Sequence, residues 1–310
     1  MSAGASAAPA ARPTPDRRTS LLAAGALLAM TACWGSTFFL IKDLLDRVPT
    51  LDFLAVRFAI AGVVMVLVAP RAVQRLSPES RRHALVLGGV YGLAQILQTS
   101  GLAHTAASVS GFITGMYVVL TPVLAALLLR TRTTRTTWAA VALATAGLGV
   151  LTLDGVAVGF GEAITLVSAV LYALHIVGLG AWSNAREALG MSIVQLLVIA
   201  VVCLVATAPD GIVLPPTPAD WLSVVYMALF AGALALIGQT WAQAHLPPTR
   251  SAIIMSMEPV FAAFFAVLLG GEALTARMAL GGLMVLAAML VVEALPRRRK
   301  VEAEVQHLAV

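Results

Sequence analysis

Residues 103–129 read AHTAASVSGFITGMYVVLTPVLAALLL, and residues 244–269 read AHLPPTRSAIIMSMEPVFAAFFAVLL. The two stretches lie about 140 residues apart, and each runs from an Ala-His pair into an apolar helix with a similar ending. Val123-Leu124-Ala125-Ala126-Leu127-Leu128-Leu129 stands against Ala263-Phe264-Phe265-Ala266-Val267-Leu268-Leu269. A hydrophilic turn follows in both, then a Gly/Ala-rich last helix, with Gly147-Leu148-Gly149 in one and Gly281-Gly282-Leu283 in the other. Such self-similarity marks an internal repeat, to be settled before any local reading.

Working outward from these two segments, apolar runs long enough for membrane-spanning helices recur along the chain. They are read at 21–41, 51–69, 84–102, 106–129, 138–153, 162–181, 191–207, 221–242, 251–269 and 276–295. Turn chemistry separates them: Val48-Pro49-Thr50, Ser77-Pro78-Glu79, Asp154-Gly155, Asp210-Gly211, Pro215-Pro216 and Pro247-Pro248. The expectation is an all-α integral membrane protein of ten transmembrane helices in two inverted five-helix repeats, 21–153 and 161–295. A flexible cytoplasmic tail at 1–20 and a basic cytoplasmic tail at 296–310 flank them. Five is odd, so the second copy sits upside down relative to the first. Two such halves can exchange conformations and open a shared site alternately to each side, which is why inverted repeats recur in secondary transporters.

Composition agrees. Of 310 residues, 60% are hydrophobic and 11% charged, with a mean hydropathy of +0.93. A water-soluble domain carries about 25% charged residues, so most of this surface cannot face water. Arg17 and Arg18 before the first span, and Met30-Thr31-Ala32-Cys33 within it, faintly resemble a secretory or lipoprotein signal. The apolar run continues through 34–41 without a polar break, which favours an uncleaved first helix. Cys33 and Cys203 both lie in apolar runs without zinc spacing and read as small buried residues. The pI near 9.8 does not indicate nucleic acid, because the basic residues cluster in loops beside the spans. Sixteen of the twenty Lys and Arg fall on the N-terminal side, and only Lys42, Arg47, Arg57 and Arg277 fall on the other. By the positive-inside rule both termini are cytoplasmic, as expected of a multi-pass cell (inner) membrane protein.

Trp34-Gly35-Ser36-Thr37-Phe38-Phe39 and Arg57-Phe58, then Thr121-Pro122-Val123, Glu258-Pro259-Val260-Phe261 and Gly271-Glu272, follow one another in order along the chain. This succession resembles the EamA family of the drug/metabolite transporter superfamily, over about residues 21–295. The resemblance implies a ten-helix transporter, often an exporter of amino acids or related metabolites. The sequence departs from the family pattern after the fourth helix, where Arg130-Thr131-Arg132 stands in place of a usual Glu.

Uncharged polar side chains are costly toward lipid and favour the bundle interior. Several fall on single helical faces. Trp34 and Thr37 lie in the first span, Tyr91, Gln95 and Gln98 in the third, and Thr114, Tyr117 and Thr121 in the fourth. Ser168, Tyr172 and His175 lie in the sixth, and Gln239 and Gln243 end the eighth. Singly, each could hydrogen-bond a neighbouring helix; four converging stripes favour a shared polar cavity that binds a small-molecule substrate. Glu258 is a carboxylate inside an apolar span, a position costing at least a few kcal/mol. Pro122 and Pro259 are expected to kink their helices. Burial disfavours a charged carboxylate, so Glu258 is a candidate for proton coupling, with His175 the second. Arg57 is read as snorkelling outward or pairing with Asp43, Asp46 or Asp52, in preference to binding an anion. Lys42 reads as an interfacial anchor. No phosphate loop, metal-ligand spacing or nucleophile with a base partner is present, so no enzyme, cofactor or ATP-driven pump is indicated. An intramembrane enzyme on a lipid-like substrate would need clustered carboxylates, His or Arg at one face. A non-transporting scaffold would need no polar interior. The lipid bilayer, a small solute and protons are the expected partners; the oligomeric state is open.

Overall fold

The computed structural model describes residues 16–105, 107–131, 133–152, 159–209, 211–269 and 274–294. Asp154-Gly155, Arg132, the Gly271-Glu272 pair and most of both tails lie outside the described residues, and so does the side chain of Lys42. Every regular element among the described residues is helical: α1 (Arg17–Gly35), α2 (Phe38–Leu45), α3 (Thr50–Val68), α4 (Pro70–Gln74), α5 (Pro78–His104), α6 (Ala107–Gly115), α7 (Tyr117–Leu129), α8 (Arg135–Thr152), α9 (Phe160–Trp182), α10 (Ala188–Thr207), α11 (Pro218–Tyr226), α12 (Ala235–Gln243), α13 (Pro248–Met255), α14 (Glu258–Leu269) and α15 (Ala276–Ala294). A π-helical stretch, Met227–Leu234, joins α11 to α12.

Among the described residues, six helical spans are long and apolar enough to cross a membrane, by length and composition: Thr50–Val68, Pro78–His104, Phe160–Trp182, Ala188–Thr207, Pro218–Gln243 and Pro248–Leu269. Ile113–Leu129 and Ala276–Val291 are shorter apolar helices. The starts follow local chemistry. Asp16 caps α1 by accepting from the Thr19 N–H at 2.7 Å. Ser77 caps α5 and Thr217 caps α11, each with proline at the first helical position, where no donor is needed.

Three spans expected to be continuous are interrupted. The first divides between α1 and α2 at Ser36-Thr37, the fourth between α6 and α7 at Met116, and the ninth between α13 and α14 at Ser256-Met257. Pro259 takes the second position of α14, so it starts a helix after the break. Pro122 sits inside α7, six residues past its own break.

Lipid gives helices no hydrophobic reason to associate, so packing relies on close contact through small residues. A Cβ at Gly88 in α5 would lie 2.9 Å from the Gln195 Cα in α10, and one at Gly147 in α8 would lie 2.9 Å from the Gly281 carbonyl oxygen in α15. The α5–α9, α8–α15, α3–α10 and α5–α10 pairs are the main packing interfaces. One core cluster joins α1, α7, α8, α9, α12, α13 and α15, and a second joins α2, α3, α5, α10, α11, the π-helical stretch and α12.

Candidate functional site

The three breaks surround one cavity. Trp34, Thr37, Phe38 and Ile41 enter from the α1–α2 break, Thr114 and Tyr117 from the α6–α7 break, and Met255 and Glu258 from the α13–α14 break. α5 supplies Tyr91, Gln95, Gln98, Thr99 and Leu102; α9 supplies Tyr172 and Ile176; α3 and α12 supply Arg57 and Gln239. The cavity holds about 680 Å³ of space between these side chains, including the part open to solvent. Its lining extends to Ile41, midway along α2, and to Leu102, near the end of α5.

Most polar residues in this wall are already bonded to one another. The Tyr172 hydroxyl donates to Gln98 Oε1 at 2.6 Å, and Gln98 Nε2 donates to Thr114 Oγ1 at 3.2 Å. Gln98 thus ties α9 to α6 across the end of the cavity. Gln95 Nε2 donates to the Tyr91 hydroxyl at 2.9 Å. The Trp34 indole N–H donates to the Ala231 carbonyl at 2.8 Å, and Thr37 donates to the Trp34 carbonyl at 2.8 Å. Ala231 belongs to the π-helical stretch, a feature frequent at functional sites.

Four groups keep open hydrogen-bonding capacity. The Tyr117 hydroxyl and Gln239 Oε1 are buried without a partner. Among the described residues the Glu258 carboxylate has no hydrogen bond or ion pair. The chain break makes Glu258 the first residue of the twelve-residue α14, where the positive end of the helix favours its charge by about 0.3–1 kcal/mol. That offsets only part of the few kcal/mol a mid-membrane carboxylate costs.

Arg57 is the fourth, and the structure corrects its reading. Its side chain neither snorkels nor pairs with an acidic group: it is 3% exposed and faces the cavity. The Asp52 carboxylate accepts from the Val213 N–H at 3.0 Å, and Arg47 holds Asp43 at 2.5 Å and Asp220 at 2.7 Å. Arg57 makes one long hydrogen bond, NH2 to the Ala231 carbonyl at 3.4 Å, and its Nε has no partner. The Phe53 and Phe58 rings, 5.8 and 5.2 Å from the guanidinium carbon, give a desolvated cation about 2 kcal/mol of compensation.

Ten of the eleven residues expected to bind substrate line the cavity; His175 does not. It is 1% exposed and lies behind Tyr91, rings stacked 4.8 Å apart and 21° from parallel. Its Nε2 lies 2.7 Å from Gln195 Oε1, and Gln195 Nε2 donates to the Met191 carbonyl, which orients the amide and places the imidazole proton on Nε2. Ser168, Thr121 and Gln243 are likewise buried but outside the lining. Phe38, Ile41, Thr99, Leu102, Ile176 and Met255 were not anticipated. Thr99 and Ile41 lie four residues beyond Gln95 and Thr37, so helical spacing contained their signal.

The EamA-like transporter family model matches the chain twice, at residues 21–153 and 159–293. The chain belongs to the EamA-like transporter family. An uncharacterized transporter of Archaeoglobus fulgidus is 28% identical over 272 residues, 86% of this chain and 84% of that protein. The uncharacterized inner membrane transporter YedA of Escherichia coli K12 is 25% identical over 260 residues, 81% of this chain and 84% of YedA. A solved crystal structure with 18% sequence identity has a TM-score of 0.74, covering 89% of this chain and 96% of that one, a likeness of fold. This EamA protein is a membrane transporter, and the cavity is its candidate substrate site.

Proposed function

We propose that this EamA protein is a secondary active transporter that exports a small metabolite, an amino acid or related compound, or a drug, across the cell membrane by alternating access. The observation that carries this reading is the cavity, built from both halves of the chain with unpaired polar groups facing it. The inverted ten-helix reading draws support from the packing. α5 packs on α9 as α12 packs on α1, and α6 and α7 pack on α9 as α13 and α14 pack on α1. Exchanging the halves turns one set into the other and returns the α3–α10 and α8–α15 pairs to themselves. The family match to each half and the sixteen-to-four basic asymmetry point the same way, with both termini cytoplasmic. In that orientation Ile41 and Leu102 lie toward the outer face, so the cavity reaches outward in this conformation. The name of the Escherichia coli relative favours the inner membrane.

Glu258 is the proton-coupling group in this reading. It has no fixed counterion, so it can be neutral when the cavity faces one side and charged when it faces the other. His175, behind Tyr91 and bonded to Gln195, is the weaker candidate. The test is transport in reconstituted vesicles without nucleotide. Glu258→Gln should abolish solute flux driven by a pH gradient, while solute-for-solute exchange persists because it need not cycle a proton. Wild-type gradient-driven flux in Glu258→Gln, together with its loss in His175→Ala, would move the proton site to α9.

A further inference from the structure

Where α3 runs into α4 and α5 begins, five exposed arginines come together: Arg71 and Arg75 at α4, Arg81 and Arg82 near the start of α5, and Arg186 between α9 and α10. We propose that this corner binds an anionic phospholipid, its phosphate held by the arginines and its acyl chains lying along the apolar faces of α3 and α5. The site is separate from the cavity. The inference needs only that these helices cross a bilayer, and it stands whether or not the chain moves a solute.

Basic loops that only set topology need charge and no fixed arrangement. Here the fold fixes the arginines. Val73 of α4, with Leu76 just beyond it, packs in one cluster with Met191 and Val194 of α10. A Cβ at Gly190 would lie 2.6 Å from the Ala72 carbonyl oxygen, so α4 rests directly on the start of α10, and Arg71, Gln74 and Arg75 take the exposed face. Arg81 reaches back to α4 and donates to the Val73 carbonyl at 3.4 Å. Glu187 accepts from the Ser77 N–H and the Ser80 hydroxyl, both at 2.7 Å, which brings its neighbour Arg186 to the same corner. Among the described residues none of the five arginines forms an ion pair. Glu187 is spent on the two serines, and exposed Glu79 is the one carboxylate between residues 70 and 83.

The corner also stands at the level of a headgroup. The apolar span of α3 ends at Val68. Trp182, 39% exposed, stacks on His83 with ring centroids 4.5 Å apart, and indoles favour the membrane–water boundary. Apolar surface leads away from the charges on two helices. On α3, Val63, Leu67 and Val68 are exposed. On α5, Arg82, Val86, Gly89 and Leu93 recur every three or four residues on one outward face. Guanidinium forks match phosphate oxygens bidentately, so the arginines supply the headgroup contacts. A free phosphate would use the arginines alone, whereas a diacyl lipid also covers the apolar faces beside them.

The purified full chain in a neutral detergent is titrated with dioleoylphosphatidylglycerol, dioleoylphosphatidylcholine or glycerol 3-phosphate. Retained lipid is counted by native mass spectrometry, and the unfolding midpoint is followed by heating. Phosphatidylglycerol should be retained and raise the midpoint, and the other two should do neither. The double variant Arg71→Gln/Arg75→Gln should weaken phosphatidylglycerol binding roughly tenfold or more, at about fivefold for each arginine near an anionic headgroup. Arg82→Gln/Arg186→Gln should do the same. Arg17→Gln/Arg18→Gln removes as much charge from exposed positions at the start of α1 and should leave binding unchanged. Equal weakening by all three double variants would replace the site with a diffuse field and overturn the proposal, as would retention of phosphatidylcholine on a par with phosphatidylglycerol. A midpoint raised as far by glycerol 3-phosphate would assign the arginines to a free phosphate and overturn the lipid. Unfolding midpoints without lipid separate lost binding from lost folding, and if one pair of substitutions fails to fold, the other decides.

Discussion

Replacing Gly35 with alanine should loosen the floor of the cavity. Gly35 ends α1 where it meets the start of α14, and an added Cβ would lie 2.6 Å from the Phe261 Cβ, 2.8 Å from the Ala262 nitrogen and 2.9 Å from the Glu258 carbonyl oxygen. Two of these neighbours are backbone atoms, so no change of side-chain rotamer relieves the contact. Restoring an ordinary carbon–carbon separation of about 3.5 Å requires the helices to part by about 0.9 Å. Overpacking on this scale costs about 1–3 kcal/mol. With roughly 2–4 °C per kcal/mol for a chain of this order of size, the unfolding midpoint should fall by about 5 °C. The same displacement carries Glu258 away from its cavity position, so solute flux should fall by about tenfold or more, as expected when a functional group is misplaced by nearly 1 Å. Gly89→Ala is the control: no atom lies within 4 Å of its added Cβ, and alanine in mid-helix gains up to about 1 kcal/mol. Both variants are compared by thermal denaturation in detergent and by flux in vesicles. A Gly35→Ala protein that matches wild type in both measurements, or a Gly89→Ala protein that loses as much, would refute the close-approach argument.

Two further perturbations test other parts of the structure. Burial pushes the Glu187 carboxyl up, but hydrogen bonds from the Ser77 N–H and the Ser80 hydroxyl, both 2.7 Å, outweigh it and hold the group below its usual range. Glu187→Gln should therefore cost about 1 kcal/mol at pH 7, and the deficit should be full above about pH 4.3 and close as pH falls through the lower folded value; a deficit that does not shrink anywhere as the pH is lowered would contradict this. After replacement of Cys33 and Cys203, cysteines at Thr37, Gln98 and Tyr117 should react with a small water-soluble thiol reagent, whereas cysteines at Val118 and Ala173, buried outside the lining, should not; equal labelling of both sets would remove the cavity.

The polar face of α5 was legible from the sequence because a regular helix converts spacing into direction. Tyr91, Gln95 and Gln98 recur every three or four residues, and all three reach the cavity. The same rule misplaced His175 by one layer. It lies three residues beyond Tyr172 on the same helix, but the Tyr91 ring and the Gln195 amide from two other helices enclose it. Periodicity fixes the face a residue presents and is silent about what another helix lays over that face. Arg57 was misread for a related reason. Three acidic residues close in sequence offered partners, but Asp52 is committed to the Val213 N–H, which the fold brings from elsewhere, and Asp43 to Arg47 four residues on. The helix breaks left a weaker trace: Gly115 stands beside Met116 and Glu258-Pro259 beside Ser256-Met257, but these residues read as kinks within continuous spans and not as ends of helices.

Those breaks are nevertheless what let an apolar bundle hold charged groups. In a continuous helix nearly every backbone donor and acceptor is spent internally, and only side chains remain to meet a solute. Interrupting the ninth span makes Glu258 the first residue of a helix, where the positive helix end lowers the cost of its charge. The π-helical stretch does the converse for the cation, because the Ala231 carbonyl lies within reach of both the Trp34 indole and the Arg57 guanidinium. Neither device completes its charged group. Glu258 keeps an unpaired carboxylate and Arg57 an unpaired Nε, whereas Gln98, Tyr172 and Thr114 are bonded into the wall. The polar residues of the cavity thus divide between those that brace it and those left incomplete, and the incomplete ones are where a solute can lower the free energy of the site by binding.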